Sequence, residues 1–478
     1  MPSYLEYLAP RLDAAGQLND SIGIHEGRVI FAGEVDLLEL VGRYGAPLEV
    51  SFCPQITRRI TSMRAHFALA RERTGYRGEF VYAYATKANF AEEVVRSALD
   101  AGAHYETSSA FDVRIAHRLW RAGLLPADRF IFCNGSKEPP YIAAIRELRE
   151  AGFARVVPIL DDLEEFEQLA GCAAPLLLGV RERKDAGDMA AGITYGYDRF
   201  GMAPDELDRL AARVAGTPHT LALYHAMVGS QLHDQEFWLG EVRESLAGYA
   251  RLRERAPSLS YFNFGGGMPT GAYDIGFRFD YAGFAERLLR EVAGWCGARG
   301  IAQPHLVGEF GRYSVADHGV HIFEVGRAKP GQPGKPPWYL LNGSLMVALP
   351  DILIVAGQHF ICLPLNHLGA PAVPVVLGGR RTCDSDDFYP RGDTELVLPL
   401  IAGQGLGAGA QPAGPLYIAF FGTGGYQAML AGEGGAHHCL APEAPKLIIE
   451  DRAGERSTRL VGEQSWEDVL NELGYSAG

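Results

Sequence analysis

From about residue 50 to residue 310 the chain alternates short runs of strand-forming residues with longer stretches of helical period. The runs "EFVYAYA", "HYETS", "FIFCNG", "RVVPIL", "PLLLGVR", "TLALYHAMVG", "YFNFGGG" and "PHLVGEF" each precede a polar or glycine-rich stretch, and amphipathic patterns such as "FAEEVVRSALDAG" separate most of them. Eight such alternations predict an α/β architecture in which a parallel sheet closes into a (β/α)8 barrel. The remainder has another texture. In "AKPGQPGKPPWYLLNG" and "IAGQGLGAGAQPAGPLYIAFFG", clusters of Gly and Pro punctuate short strand candidates, the pattern of an all-β domain. The "GQGLGAGAQPAG" segment is expected to be a long surface loop, since strand-like sequence flanks it on both sides. Near the start, "IHEGRVIFAGEV" reads as a hairpin too early for the barrel. The expected organisation is an N-terminal segment (1–48) packing with the β domain, a barrel (49–312) and a C-terminal β domain (313–478).

Composition narrows the partners. With 478 residues the chain can bury a large core, and a net charge of −14 argues against broad contact with a phosphate backbone, so nucleic acid is not an expected partner. No run approaches the ~18 uninterrupted apolar residues of a membrane span. The opening "MPSYLEYLAPRLDAAGQ" lacks a basic start and an apolar core, so a cytoplasmic location is expected. Seven scattered cysteines (53, 133, 172, 296, 362, 383, 439) form no Cys-x-x-Cys pair, which points to reduced thiols rather than a disulfide framework or a zinc site.

Five stretches offer chemistry. In "YAYATKANF", Lys87 sits where a strand gives way to a helix, the end of an α/β element at which reactive groups are usually placed, although a lysine there is more often only a solvated loop residue. "FNFGGGMP" puts Gly265, Gly266 and Gly267 directly after a strand, where backbone N–H groups can approach a phosphate; glycine triplets also make ordinary turns. "GEFGRYS" supplies Glu309 and Arg312, a carboxylate and a cation three residues apart that could equally be a surface ion pair. "TCDSDDFY" begins with Cys383 and Asp384; its mixed hard and soft ligands with no nearby histidine make a poor metal site, and no metal is expected. Tyr426 follows a glycine turn in "FFGTGGYQAML", as a core tyrosine also could.

In this order and spacing, the motifs resemble the fold type III family of pyridoxal phosphate enzymes, and more narrowly its ornithine, arginine and diaminopimelate decarboxylases. The resemblance runs from about residue 45 to 430 and implies an alanine racemase-like fold, a (β/α)8 barrel with a C-terminal β domain. "YATKAN" is similar to the family's cofactor-lysine motif, which makes Lys87 the counterpart that binds pyridoxal 5'-phosphate. "YETSSAFDV" places Glu106, and "LGVRERK" places Arg181, where the family supports the cofactor. "YDRFGM" and "HAMVGSQ", the latter with Gly229 and Ser230, resemble further segments, "FGGG" resembles the phosphate loop, and "EFGR" places Glu309 against the pyridine nitrogen. "CDSD" and "GTGGY" are similar to C-terminal elements. The resemblance gives Cys383 the role of proton donor and implies that Cys383 and Asp384 reach the active site of a partner subunit, hence a homodimer with shared sites.

Two positions depart from the family pattern. The histidine expected before "VGS" is replaced by Met227, while His225 lies two residues earlier; if both were on a strand they would point the same way. Methionine can pack on an aromatic face but cannot supply a proton. In "YLLNGSLMVALPD", where relatives that form diamines carry an acid, this chain offers Asn342, leaving Asp384 as the alternative partner for a distal amine. The implied activity is decarboxylation of a basic amino acid: arginine, ornithine, lysine, a diaminopimelate-like substrate or a derivative of polyamine biosynthesis. Two readings compete with it. A racemase of the same fold would usually place an arginine against the ring nitrogen, where this chain has Glu309. A binding or regulatory homologue without turnover draws its support from Met227.

Overall fold

The computed structural model describes residues 1–184, 199–355, 357–401, 414–452 and 454–475. They form two compact units, one of residues 57–269 and 279–314, the other of residues 1–56, 270–278 and 315–478. The barrel unit carries the eight strands expected: β1 (Phe80–Ala85), β2 (His104–Thr107), β3 (Ile131–Cys133), β4 (Val156–Leu160), β5 (Leu177–Arg181), β6 (Thr220–His225), β7 (Tyr261–Asn263) and β8 (His305–Phe310). All pairings around the ring are parallel, and β8 closes it on β1 with Leu306 opposite Phe80 and Glu309 opposite Ala83.

Why these runs become strands is visible in their burial. The side chains of β4 are buried along its whole length, as a sheet covered on both faces demands. Val81, Ala83, Phe130, Phe132, Val157, Ile159, Leu223 and Val307 pack together inside the ring. Gly179 is needed there, because a Cβ would stand 3.0 Å from Ile159 Cγ1 and 3.1 Å from Leu223 Cδ2. The outer helices present one apolar stripe each. Helix Ala110–Arg121 is capped by Ser109, which accepts a hydrogen bond from the Asp112 N–H, and buries Val113, Ala116 and Leu119.

The second unit is built on strand Gly319–Lys329, which pairs antiparallel with Leu48–Phe52, Trp338–Leu341 and Leu416–Phe421. Leu48–Phe52 also runs parallel to Lys446–Arg452. The early hairpin is present as Ile22–His25 paired with Arg28–Phe31, and its Val29 and Phe31 share a core with Leu48, Val320 and Leu447. The chain enters the barrel unit only at Thr57. The glycine-rich 403–413 stretch and Tyr197 and Asp198 of "YDRFGM" lie outside the described residues.

One buried ion pair ties the loops that follow β3 and β4. Lys137 Nζ donates to the carbonyl oxygens of Gly135 (2.7 Å) and Ile159 (2.5 Å) and to Glu165 Oε2 (3.0 Å), with both side chains at most 2% exposed. Glu165 in turn accepts from the backbone N–H groups of Lys137 and Asp161. Removing one charge strands the other in a medium that solvates it poorly. Lys137→Ala should therefore cost about 3–5 kcal/mol in urea unfolding, and Lys137→Met with Glu165→Gln, which removes both charges and keeps an acceptor for the backbone N–H groups, should recover part of that loss.

Candidate active site

The carboxyl ends of the strands gather most of the expected residues. β1 stops at Ala85 and turns through Thr86–Ala88, with Thr86 and Ala88 buried and Lys87 exposed between them. The turn is fixed from below. The Thr86 hydroxyl bridges the Glu106 carbonyl oxygen (2.8 Å) and Asp112 Oδ2 (2.5 Å), and Asp112 Oδ1 accepts from the Tyr105 hydroxyl (2.9 Å). The lysine that the sequence singles out is thus an exposed residue on a rigid base.

Glu106 on β2 and Glu309 on β8 lie buried near each other, held by one side chain that sequence reasoning missed. Asn134, just past β3, donates through Nδ2 to Glu106 Oε1 at 2.8 Å and to Glu309 Oε2 at 2.9 Å. Asn263, the last residue of β7, donates to Glu309 Oε1 at 2.6 Å and accepts from the Gly265 N–H through Oδ1 at 2.8 Å. Both asparagines occupy the same kind of place as Lys87, at or just beyond a strand's carboxyl end, and that placement is the signal that could have found them. Burial raises the carboxyl of Glu106, and the charge of Glu309 raises it further, while Lys87 and Asn134 oppose the rise. For Glu309, too, burial dominates, countered by the hydrogen bonds from Asn263 and Asn134 and then by the charges of Lys87 and Arg181.

The glycine run bends over this pair. Gly265 has φ +71°, and a Cβ there would lie 2.7 Å from Met227 Sδ and 3.3 Å from His225 Nε2. Gly267 has φ +98°, and its Cβ would stand 3.0 Å from Trp238 Nε1, a buried N–H with no hydrogen-bond partner among the described residues. His225 and Met227 therefore converge on one spot, though not by sharing a strand, because β6 ends at His225. Neither ring nitrogen of His225 has a hydrogen-bond partner among the described residues; Nε2 lies 3.7 Å from Glu309 Oε2. Burial first, then the cations Arg181 and Lys87, drive its pKa far down, so the ring is neutral. Arg181 ends β5 with its guanidinium 4.7 Å from the centre of the Phe200 ring, Ser230 is exposed beyond Gly229, and Arg312 opens the short helix Arg312–Val315.

The remaining candidates belong to the β unit. Cys383 and Asp384 are side by side with Cys439 and His438: Sγ to Sγ is 3.7 Å, and His438 Nε2 is 3.1 Å from Asp384 Oδ2. Asn342 is engaged with backbone, donating to Ala46 O at 2.8 Å and accepting from the Glu324 N–H at 2.9 Å. Tyr426 stands before helix Gln427–Ala431 with φ +71°, a left-handed conformation uncommon outside glycine. Asp387 of the acidic run accepts from the N–H groups of Leu345 and Met346.

The raised carboxyls carry a sign that can be tested. A carboxyl with a raised native pKa binds its proton more tightly folded than unfolded, so its contribution is present below the unfolded value near 4.5 and is lost as pH rises through the native value. Glu106→Gln should thus stabilise the cofactor-free protein by about 1–3 kcal/mol at pH 8, with the gain shrinking as pH falls, measured by urea unfolding across pH.

The family model for the pyridoxal-dependent decarboxylase, pyridoxal binding domain, matches residues 55–316. Biosynthetic arginine decarboxylase of Klebsiella pneumoniae (strain 342) is 27% identical over 310 residues, covering 61% of this chain and 49% of the relative. Arginine decarboxylase 1 of Oryza sativa subsp. japonica is 25% identical over 351 residues, covering 66% and 49%. The chain spans about half the length of the curated relatives it matches. Among solved structures, the biosynthetic arginine decarboxylase of Campylobacter jejuni superposes with a TM-score of 0.77 at 18% identity over 96% of this chain and 89% of that one. Diaminopimelate decarboxylase from M. jannaschii in complex with L-lysine gives 0.76 at 19% identity over 95% and 97%. At such identities the superpositions establish the fold. With the match to the binding-domain model across all eight strands, they lead to one assignment: this chain belongs to the family of pyridoxal-dependent decarboxylases.

Proposed function

We propose that the chain is a pyridoxal 5'-phosphate-dependent decarboxylase of a basic amino acid, with Lys87 as the residue that carries the cofactor. The observation that carries this reading is the exposed Lys87 on its rigid turn beside two buried carboxylates held by Asn134. The residues present fit the cofactor. Gly265 to Gly267 leave a space that a Cβ would fill, and the orphaned His225 and Trp238 nitrogens border it. Pyridoxal phosphate, when bound, supplies an aldehyde for an amine to condense with and a ring that withdraws electrons from the substrate's Cα.

The chain's own residues divide the remaining work. Lys87 offers the amine that the substrate amine replaces. The glycine-run N–H groups, with Ser230 and Arg312, would hold phosphate. Glu309, whose ionised form its two asparagine donors favour against the rise that burial causes, would pair with the pyridine nitrogen, with Glu106 and Arg181 supporting that arrangement. Neutral His225 and Met227 would offer the ring an uncharged surface. After carbon dioxide departs, Cys383 returns a proton to Cα. Of the two candidates for the substrate's distal charge, the Asn342 carboxamide is neutral and bonded to backbone, whereas Asp384 is a partly exposed carboxylate paired with His438, and the charge assigns that contact to Asp384. Glu309, rather than an arginine, opposite the ring nitrogen speaks against a racemase.

Carbon dioxide release measured across the basic L- and D-amino acids tests the activity and identifies the substrate. The purified protein should absorb in the visible, and borohydride should fix the cofactor on Lys87; labelling at another lysine would remove the basis of the reading. Lys87→Ala should lower turnover by about a thousandfold or more with unfolding unchanged, because it deletes a reactive amine and no core volume. The proposed active unit is a homodimer in which Cys383 serves the other subunit's Lys87. Mixing Lys87→Ala with Cys383→Ala and allowing subunit exchange should then restore about a quarter of wild-type activity, half the dimers being mixed with half their sites intact. An inactive mixture after demonstrated exchange would place Cys383 in its own chain's site.

A further inference from the structure

We propose that Cys383 and Cys439 form a reversible disulfide on exposure to a low-molecular-weight disulfide, making this pair a thiol modification site. Of the seven cysteines, all unbridged, five are buried and only these two are exposed. Their sulfurs lie 3.7 Å apart although the residues are separated by 55 others, and the neighbouring His438 and Asp384 clasp the same two loops at 3.1 Å. The clasp holds each thiol at a high effective concentration for its partner, the condition under which a second thiol displaces a mixed disulfide faster than solution thiols can. Cys439 sits at φ 56°, ψ 19°, a left-handed conformation that non-glycine residues adopt infrequently and that turns this residue towards the Cys383 loop.

The reaction balances as two exchanges. One cysteine thiolate attacks a sulfur of the disulfide R–S–S–R, breaking that bond and expelling RS⁻. The other thiolate then attacks the protein sulfur of the mixed disulfide and expels the second RS⁻. Two protein thiols lose two electrons to one small disulfide, and the two thiol protons end on two molecules of RSH. Bond formation depends only on the two thiols. Its effect on turnover rests on the reading of Cys383 as proton donor, since a sulfur in a disulfide has no proton to give.

The test uses the full chain and hydroxyethyl disulfide. Before treatment, native protein should show two fast-reacting thiols. Afterwards it should show none, and digestion without reductant should yield one intramolecular peptide pair joining Cys383 to Cys439 that dithiothreitol separates. Cys439→Ser should retain basal activity yet stop at a stable mixed disulfide on Cys383. A wild-type product that stays a mixed disulfide, or that links two chains instead, would overturn the proposal. Oxidised wild type should lose carbon dioxide release at least tenfold and regain it with dithiothreitol. If the cross-link forms and activity is unchanged, the modification site stands and the proton-donor reading of Cys383 fails.

Discussion

Burying a carboxylate costs several kcal/mol unless donors and a cation replace the water it loses, and this barrel buries two within reach of a single amide nitrogen. Much of the upper end of the barrel can be understood as the response to that cost. Asn134 gives one hydrogen to each acid, Asn263 gives another to Glu309, and the charges of Lys87 and Arg181 favour the ionised forms. Each donor is placed by a different strand, so the arrangement exists only when the ring is closed. The β8 to β1 pairing that sets Glu309 opposite Ala83 is therefore an electrostatic requirement as well as a topological one.

The same economy explains the neutral histidine. A protonated His225 would lie among cations in a dry pocket, and its pKa is driven down accordingly. With Met227 beside it, the floor under the glycine run is apolar and uncharged, and the acids face it from the neighbouring strands. Charge is concentrated on the two acids and their partners and excluded from the His225 and Met227 side.

Much of this was legible before any coordinates. Eight hydrophobic runs alternating with helical stretches specify a closed ring, and the residues at or near their ends, Lys87, Glu106, Arg181 and Glu309, stand where such rings place chemistry. The asparagines were not legible, because an asparagine after a strand is ordinary turn material until its two acceptors, 28 and 175 residues away, are known. Lys137 and Glu165 escaped for a related reason: charged residues in a polar loop and in the first turn of a helix read as solvated, and only burial shows otherwise. The Cys383–Cys439 approach depends on a left-handed turn at a cysteine, which no side-chain pattern announces. The pairing of residues 225 and 227 failed as strand geometry because the strand ends at the first of them.

The β unit is assembled from three separate lengths of chain, with the barrel sequence lying between the first and the last. Strand Leu48–Phe52 leaves the ribosome early, but its two neighbours in the sheet, Gly319–Lys329 and Lys446–Arg452, are made hundreds of residues later. During synthesis that strand waits with both edges open while the two barrel segments, 57–269 and 279–314, are made. Vectorial production thus favours one order of events, in which the barrel forms first and strands made after it cover an edge made before it. Holding that edge apart from other nascent chains is a task for the cell's chaperones, set by connectivity alone.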